Sequence, residues 1–402
     1  MQRESSARQA YERIDAQIAG LRPLLLELSH KIHAHPEIRF EERQASSWLA
    51  ETLAAHGFAV ECGAGGLETA FYARLPGKGA GANSGPKVAL VCEYDALEGL
   101  GHACGHNVIA TMSLGGALAL APLLENLAGE LVVVGTPGEE GGGGKVILLE
   151  AGVFDGLDAA MMIHPSYETR VGGPSLARVG WEVRYSGVPA HAAAAPHLGV
   201  NALDAVRLAF SGLDALRQQV TPDVRIHGVV THGGDAVNII PKEAAMRVFL
   251  RAASKDYLYD SLVPRARKVF EGAALMTGAE LTIAESVKPY DNMATNLVLA
   301  ERFAVHGARL GREVLPYDPL DYGGSTDMGN VSQRLPALHA YLAIDDEAQP
   351  HTAGFAEAAR SERGDAAVLD GARILASLAH DLLSDGAFLE EVKGASLPRQ
   401  AA

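Results

Sequence analysis

The sequence predicts an α/β fold with a mostly parallel mixed sheet, and two observations support this. Short, nearly all-apolar runs recur between segments of helical periodicity, namely KVALVCEY (87–94), ELVVVGT (130–136), AAMMIH (159–164) and LHAYLAI (338–344). Such runs are typical of strands that helices bury on both faces. Polar side chains of catalytic types follow each run, as they do at the carboxyl edge of an open α/β sheet.

The segment from residue 175 to residue 290 has a different pattern. Strand-like ARVGWEVRYSG, VRIHGVVTHGG, AAMRVFLRAAS and AELTIAESV combine with two helical stretches in the order β-α-β-β-α-β. Because helix and strand patterns resume after this segment, we interpret it as an insert. We therefore predict one discontinuous domain, residues 1–174 and 291–402, and a ferredoxin-like inserted domain, residues 175–290.

Composition and charge disfavour several classes of protein. The 402 residues are 48% hydrophobic and 21% charged, which is typical of a globular protein. A net charge of −15 without a basic run disfavours nucleic acid as a partner. Three cysteines cannot all pair within the chain, so we expect no disulfide framework.

The N-terminus lacks the apolar core of a secretion leader, and the longest apolar run, 108–124, is shorter than the about 20 residues of a membrane span. We expect a cytoplasmic protein with no membrane partner.

Potential metal ligands follow four of the predicted strands. They combine thiol, imidazole and carboxylate groups: Cys104, His106, Glu140, His164 and His351. This mixed set suits zinc or another borderline divalent ion. Five ligands exceed one tetrahedral shell, so two ions about 3.5–4 Å apart with a shared ligand make better use of them. A thiolate held by cations is a suitable bridge.

The adjacent carboxylates Glu139 and Glu140 are suited to two different roles. One can bind metal while its neighbour, partly desolvated and poised near neutrality, takes a proton from the attacking water. The residues alone allow either assignment. Simpler explanations also exist, because a lone cysteine is usually a buried apolar side chain. A metal-free hydrolase with Cys104 as nucleophile is a further alternative, although it leaves three of the candidate ligands without a role.

Motifs along the chain resemble those of the metal-dependent aminoacylase and amidohydrolase superfamily. In order they are HAHPEIRFEE, EYDALEGLGHACGHN, GTPGEEGGGG, IHP, SGVPAHAAAAPHLGVNALDA, GGDAVNIIP, GGSTDMGNVS and PHTAGFAEAA. The CGHN and GSTDMGN forms look most similar to the branch of the auxin-conjugate hydrolases, the p-aminobenzoyl-glutamate hydrolase B subunit and the Xaa-basic dipeptidases. The resemblance extends from about residue 25 to residue 380.

The resemblance implies a zinc-peptidase-like catalytic domain with an inserted lid domain that also forms a homodimer. It implies two divalent ions, zinc or manganese, bound by the five residues above. It further implies that Glu139 is the general base and that Asp95 orients a ligand. Glu93 stands in EYD where many relatives have DMD or HTD, so we leave Glu93 out of the predicted site.

Within the lid, the resemblance assigns roles in substrate binding. His191 matches a histidine that stabilises the oxyanion, often from the partner subunit. Asn238 and Arg251 match positions that hold the substrate carboxylate; a surface ion pair is the alternative for Arg251. The remaining predicted pocket residues supply hydroxyl and amide donors and are Gly324, Ser325 and Thr326.

The expected function is hydrolysis of the amide bond of N-acyl amino acids or dipeptides by metal-bound hydroxide, with Glu139 as general base. One alternative is a catalytically silent relative that binds metal or an amino acid. The other is the metal-free Cys104 hydrolase. The lid loops give no prediction of acyl or amino-acid specificity.

Overall fold

A computed structural model describes residues 2–79 and 85–395, which form two compact units. Of the described residues, the first unit comprises 2–79, 85–174, 293–321 and 327–395, and the second comprises 175–292 and 322–326. The predicted insert, residues 175–290, lies inside the second unit. The short segment 322–326 joins that unit as well, although it is remote in sequence.

The described residues contain ten strands. They are β1 (Ala59–Cys62), β2 (Phe71–Pro76), β3 (Lys87–Glu93), β4 (Glu130–Thr136), β5 (Ala159–Ser166), β6 (Ala177–Ser186), β7 (Arg225–His232), β8 (Glu243–Ala252), β9 (Glu280–Tyr290) and β10 (Ala337–Ala343).

The α-helices of the described residues lie between and after these strands. They are α1 (Gln2–Ala34), α2 (Arg43–Ala55), α3 (His106–Leu120), α4 (Gly144–Glu150), α5 (Ala202–Arg217), α6 (Lys255–Tyr257), α7 (Val263–Thr277), α8 (Leu297–Arg309), α9 (Met328–Ser332), α10 (Ala353–Ala358), α11 (Glu362–Ser384) and α12 (Gly386–Gly394). A π-helical turn, Leu258–Leu262, joins α6 to α7.

A six-stranded mixed sheet forms the centre of the first unit, in the order β1-β2-β4-β3-β5-β10. Strands β4, β3, β5 and β10 run parallel, whereas β1 and β2 are antiparallel to their neighbours. The predicted α/β class with a mostly parallel sheet is confirmed. Each of the four apolar runs forms one parallel strand, so their carboxyl ends share one edge.

Both faces of this sheet are buried, which explains the apolar runs. In β3, Leu90 and Cys92 belong to a core shared with α1, α3 and α11. Their neighbours Ala89 and Val91 belong to a second core, which includes Leu148 of α4. Since side chains alternate between the faces, a strand covered on both sides must be apolar throughout. Burial of a side chain such as Leu90 contributes about 1.5–3 kcal/mol.

The apolar segment that begins with α3 is longer than the sequence suggested. His106–Asn126 is long and apolar enough to cross a membrane, and 89% of its apolar window is buried inside the protein. The glycines that interrupt the apolar run do not interrupt the helix. A Cβ at Gly115 would lie 2.8 Å from Leu25 and 2.9 Å from Ala372, so the glycine permits close packing with α1 and α11.

The second unit has a four-stranded antiparallel sheet in the order β7-β8-β6-β9. Its strands and long helices follow the predicted order β-α-β-β-α-β. One face packs against α5 and α7, and Ala177, Val179 and Val183 of β6 join that core. The alternate residues of β6, which include Arg178 and Glu182, lie on the face turned away from these helices.

Candidate metal centre

A tight turn between β3 and α3 brings Cys104 to the carboxyl edge of the sheet. Gly105 has a φ of 73°, and a Cβ at this position would lie 2.5 Å from the ring of Pro165. Only glycine fits here without strain. The turn ends where α3 begins, at His106. The sulfur of Cys104 thereby lies 3.5 Å from Nε2 of His164 on β5.

The predicted ligand atoms converge in two overlapping groups. Cys104, His106 and His164 form one group, and Cys104, Glu140 and His351 form the other. Within each group the ligand atoms lie within 4.8 Å of one another. All five predicted ligands therefore come together in the first unit, with the thiol common to both groups. Two ions that share a bridging thiolate require this arrangement.

His351 is held in a strained backbone conformation. Its φ of 67° is left-handed, which costs about 1–2 kcal/mol for a residue with a Cβ. The backbone N–H of His351 donates to the carbonyl of Ala103 at 2.8 Å, and Thr352 caps α10 immediately afterwards. Nε2 of His351 lies 3.2 Å from Oε1 of Glu140. Such strain is common where a side chain must be placed for function.

The loop after β4, which contains both adjacent carboxylates, is fixed by the HAHPEIRFEE segment. A Cβ at Gly138 would lie 2.7 Å from the ring of Phe40. The N–H of Gly138 donates to Oε1 of Glu42 at 2.8 Å, and the N–H of Glu140 donates to Oδ2 of Asp95 at 2.8 Å. Phe40 and Glu42 were not predicted as part of the site, although the motif that contains them was noted.

Asp95 also orients His106. Its Oδ1 lies 3.0 Å from Nδ1 of His106, which leaves Nε2 of the ring for another partner. A carboxylate at Nδ1 sets the tautomer of a metal-binding histidine in this way. Burial opposes protonation of His106, but Glu93 and Asp95 raise the pKa of the ring well above its usual range. A divalent cation would take the place of that proton.

Three further residues of the centre were missed. Glu93 lies with its Oε1 3.0 Å from Nε2 of His106, and its other oxygen pairs with the ammonium of Lys145. The same ammonium donates to Asp327 at 2.7 Å, and Lys145 is fully buried. Glu93, which the sequence analysis left out of the site, has its ligand atom within 4.8 Å of those of His106 and Glu139. Lys145 directly follows the acidic GEEGGGG loop. A single lysine at this place could have predicted a buried ion pair near the site.

Burial determines the protonation of the thiol and of the candidate base. Burial raises the pKa of Glu139 well above its usual range, and the charges of Glu93 and Glu140 raise it further. Burial also raises the pKa of the Cys104 thiol above its usual range; His106 opposes this effect and Glu140 adds to it. The thiol therefore needs a bound cation to become a thiolate.

The predicted lid residues form two groups within the second unit. Nδ1 of His191 accepts from the N–H groups of Ala193 and Ala194 at 3.3 and 3.1 Å. A neutral His191 therefore carries its proton on Nε2. Its neighbour Ala192 donates its N–H to the carbonyl of Asn238 at 3.0 Å, so the exposed side chains His191 and Asn238 lie on adjoining segments.

The second group surrounds Arg251. Its Nη1 donates to Oγ of Ser325 at 3.0 Å, and the carbonyl of Gly324 accepts from the N–H of Leu176 at 2.9 Å. Thr326 ends the same segment of the second unit. The surface ion pair considered for Arg251 is not found within residues 2–79 and 85–395.

Comparison with known proteins identifies the family. The sequence profile of Peptidase family M20/M25/M40 matches residues 87–381, a range that includes all five candidate ligands. The chain belongs to this family. The M20 chain is 40% identical over 397 residues to the Xaa-Arg dipeptidase of Mus musculus, and the alignment covers 96% of the M20 chain and 91% of the relative.

A second relative and a solved structure agree with this family assignment. The M20 chain is 30% identical over 463 residues to the B subunit of p-aminobenzoyl-glutamate hydrolase from Escherichia coli strain K12, with 95% of the M20 chain and 93% of the relative covered. The fold matches that of a dinuclear metal-binding M20 peptidase from Bacillus subtilis, with a TM-score of 0.69, 20% identity and coverage of 91% and 99%. The resemblance is confirmed, and the M20 chain is a metal-dependent enzyme of the dipeptidase and amidohydrolase kind.

Proposed function

We propose that the chain hydrolyses the amide bond of N-acyl amino acids or dipeptides with the help of two divalent ions, zinc or manganese. The observation that supports this best is the pair of overlapping ligand groups that share Cys104. The Bacillus subtilis protein of the same fold is described as a dinuclear metal-binding peptidase. The proposed ligands are the five predicted ones, Cys104, His106, Glu140, His164 and His351.

The donor atoms themselves fit a metal. Nε2 of His106 and Oε1 of Glu140 are buried without a well-aligned hydrogen bond, and both are ligand atoms of the two groups. Their nearest polar neighbours are Oε1 of Glu93, 3.0 Å from Nε2 of His106, and Nε2 of His351, 3.2 Å from Oε1 of Glu140. Buried polar atoms without a well-aligned hydrogen bond are rare, so their clustering here supports a cation as the common partner. When bound, the ions would polarise the amide carbonyl and lower the pKa of a water molecule.

Glu139 is the proposed general base. Its carboxylate is adjacent in sequence to the ligand Glu140, and its raised pKa suits a group that accepts and then releases a proton. In our proposal Glu139 takes the proton of the attacking water and passes it to the nitrogen of the leaving amine. Asp95 acts indirectly, since it holds both the ring of His106 and the backbone of Glu140.

His191 is the proposed oxyanion donor. Because Nδ1 accepts two backbone N–H groups, Nε2 carries the proton and can donate it to the oxygen of the tetrahedral intermediate. We propose that this imidazole comes from the lid of the same protomer or of the partner. Asn238, Arg251 and residues 324–326 are proposed to hold the substrate, with Arg251 on the carboxylate.

The names of the relatives support a substrate in which an amino acid is the leaving group. The mouse relative is an Xaa-Arg dipeptidase, and the Escherichia coli relative belongs to a p-aminobenzoyl-glutamate hydrolase. These names differ in the leaving amino acid, arginine in one and glutamate in the other. We therefore propose amide hydrolysis at the nitrogen of an amino acid.

A screen tests the proposal directly. Protein loaded with zinc or manganese is incubated with N-acyl amino acids, dipeptides and p-aminobenzoyl-glutamate, and the released amines are quantified. We expect turnover of at least one class, its loss on chelation and its recovery when metal is restored. Undiminished hydrolysis by rigorously demetallated protein would contradict the proposal and favour Cys104 as a nucleophile. Bound metal without any turnover would favour the silent relative.

We further propose that the chain acts in the cytoplasm as a homodimer formed through the inserted domain. Strand β7 lies at the edge of its sheet and exposes Val229 and Val230, at 60% and 51% of their surface. An exposed apolar edge strand is a suitable place for a second copy to pair. Light scattering should give twice the chain mass for the wild type and a monomer for Val229→Lys; a wild-type monomer would contradict the proposal.

A further inference from the structure

Both ring nitrogens of His106 face a buried carboxylate. Nδ1 lies 3.0 Å from Oδ1 of Asp95, and Nε2 lies 3.0 Å from Oε1 of Glu93. All three side chains are at most 1% exposed. The two contacts differ in alignment, because Nδ1 forms a hydrogen bond with Asp95 whereas Nε2 has no well-aligned partner. Glu93 is therefore near enough to Nε2 for a hydrogen bond but lies off the direction of the ring N–H.

A shared cation explains the contact between Nε2 and Glu93 better than a shared proton does. A hydrogen bond weakens steeply when its proton lies far from the line between the two heavy atoms. Two ligands of one ion, in contrast, approach the ion from different directions. At the usual distances of about 2.0–2.2 Å from zinc, two neighbouring nitrogen and oxygen ligands lie roughly 3–3.5 Å apart. The observed separation of 3.0 Å between Nε2 and Oε1 falls within this range.

An ion at His106 changes what Glu93 requires. Because Asp95 is the partner of Nδ1, Nε2 is the ring atom that is available to an ion. A nitrogen that binds an ion carries no proton, so Nε2 can no longer donate to Oε1 of Glu93. A buried carboxylate oxygen that faces the lone pair of a nitrogen is destabilising. The same ion removes this cost when Glu93 binds to it as well.

His106 belongs to two groups of candidate ligands. One group also contains Cys104 and His164, and the other also contains Glu93 and Glu139. The ligand atoms within each group lie within 4.8 Å of one another. An ion at His106 therefore has the carboxylate of Glu93 beside it in addition to the ligands already described.

Lys145 holds the other oxygen of Glu93 in place. Its ammonium pairs with Oε2 of Glu93 and lies 2.7 Å from Oδ1 of Asp327, and the lysine side chain is fully buried. Oδ2 of Asp327 accepts from the backbone N–H of Lys145 at 2.9 Å, which fixes the lysine in the first turn of α4. With Oε2 engaged in this way, Glu93 presents one oxygen, Oε1, to the metal centre.

We propose that Glu93 is a sixth metal ligand and binds through Oε1 to the ion at His106. This rests on the two-ion site of the proposed function. The two ion positions then have unequal sets of protein ligands, namely Cys104, His106, His164 and Glu93 at one and Cys104, Glu140 and His351 at the other. Structural zinc sites usually have four protein ligands and catalytic sites have three. The ion beside Glu93 is therefore the more tightly bound of the two.

Metal binding by demetallated protein tests the proposal without relying on catalysis. Titration with Zn²⁺ against a competing chromophoric chelator gives the number of ions per chain and both dissociation constants. We expect two ions in the wild type and a loss of more than a hundredfold in the affinity of one ion in Glu93→Gln. Removal of a group that only orients a ligand costs about 10–100-fold. Two ions bound by Glu93→Gln with wild-type affinities would overturn the proposal.

Asp327→Asn distinguishes a metal ligand from a counter-ion of Lys145. Glu93 and Asp327 both contact the buried ammonium, so a role through the lysine alone predicts the same loss of ion affinity in both variants. We expect Asp327→Asn to bind both ions within tenfold of the wild type. Equal losses in Glu93→Gln and Asp327→Asn would overturn the proposal.

Glu139→Gln is the second matched variant, because it removes the other carboxylate of the same ligand group. We expect it to bind both ions as the wild type does. An ion lost from Glu139→Gln and retained by Glu93→Gln would assign the ligand to Glu139 and overturn the proposal.

A crystal structure of the metal-loaded wild type keeps the test independent of whether a variant folds. Anomalous scattering locates the ions, and we expect Oε1 of Glu93 at about 2.0–2.2 Å from one of them. Two bound ions without Glu93 among their ligands refute this inference and leave the proposed function intact. A wild-type protein that binds no metal refutes the proposed function itself.

Discussion

The two units treat buried positive charge in opposite ways. In the first unit Lys145 is fully buried, and its ammonium contacts the carboxylates of Glu93 and Asp327. In the second unit Arg178 is 7% exposed, and its cross-strand neighbour is another arginine, Arg251. The ammonium of Lys145 is thus neutralised by carboxylates of its own unit, whereas Arg178 and Arg251 donate to neutral acceptors, the carbonyl of Lys288 and the hydroxyl of Ser325. We infer that the first unit supplies the chemistry and the second unit supplies recognition.

We expect the largest loss of kcat when Glu139 of the first unit is replaced. Glu139→Gln should lower kcat by about 10²–10⁴-fold, because the amide cannot take the proton of the attacking water. Metal content by mass spectrometry should be unchanged. Glu61→Gln, an exposed residue of β1, should retain wild-type turnover. Wild-type kcat in Glu139→Gln would contradict the assigned base.

Lys145→Met tests whether the buried ion pairs of Lys145 stabilise the folded state of the first unit. It leaves Glu93 and Asp327 buried without their partner, and breaking a buried pair in this way costs about 3–5 kcal/mol. The matched control is Lys78→Met, since Lys78 forms an exposed pair with Glu125 that is worth about 0–1 kcal/mol. Chemical denaturation measures both free energies of unfolding. Similar values for the two variants would show that burial of the Lys145 pair is unimportant.

His191→Ala tests whether the second unit also takes part in the chemical step. His191 belongs to the second unit, yet an oxyanion donor acts on the chemical step. We expect kcat to fall about 10²–10³-fold with metal content unchanged. Steady-state kinetics and metal analysis on the same preparation check this. A change in KM alone would assign His191 to substrate binding.

Asp381 is a buried charge outside the metal centre, and its contribution to the free energy of unfolding should depend on pH. Burial favours the protonated form, but hydrogen bonds from His306, His380 and Tyr11 hold the pKa of Asp381 below its usual range. Its stabilising effect is therefore present above the ordinary aspartate pKa and is lost as pH falls through the lowered value. Asp381→Asn should destabilise by about 1–3 kcal/mol at pH 7 and by less in acid. A difference that is independent of pH would contradict this.

The positions at strand ends were the predictable part of the site. Cys104, Glu140 and His351 follow apolar runs, and parallel strands bring such residues together whatever the details of packing. Glu93 and Lys145 were not predictable in this way, because they lie in different motifs and only their shared burial brings them into contact.

The side-by-side arrangement of three arginines in the second unit could not be predicted for another reason. The sequence predicts the strands that contain Arg178, Arg225 and Arg251, but not their register. A shift of one residue would move a whole strand's side chains to the opposite face. Only the observed pairing shows that the three lie side by side. Sequence periodicity therefore predicted the fold and which candidate ligands meet at one edge of the sheet, whereas the strand pairing and the buried ion pairs could not be predicted in this way.

Substitution of cobalt for the native metal tests the central claim most directly, because a thiolate bound to cobalt gives a charge-transfer absorption band. We expect two ions per wild-type chain and a thiolate band that disappears in Cys104→Ser, together with weaker binding of the ions. A wild-type protein without the band, or a Cys104→Ser variant with the same spectrum and the same ion count, would show that Cys104 does not join two metal positions.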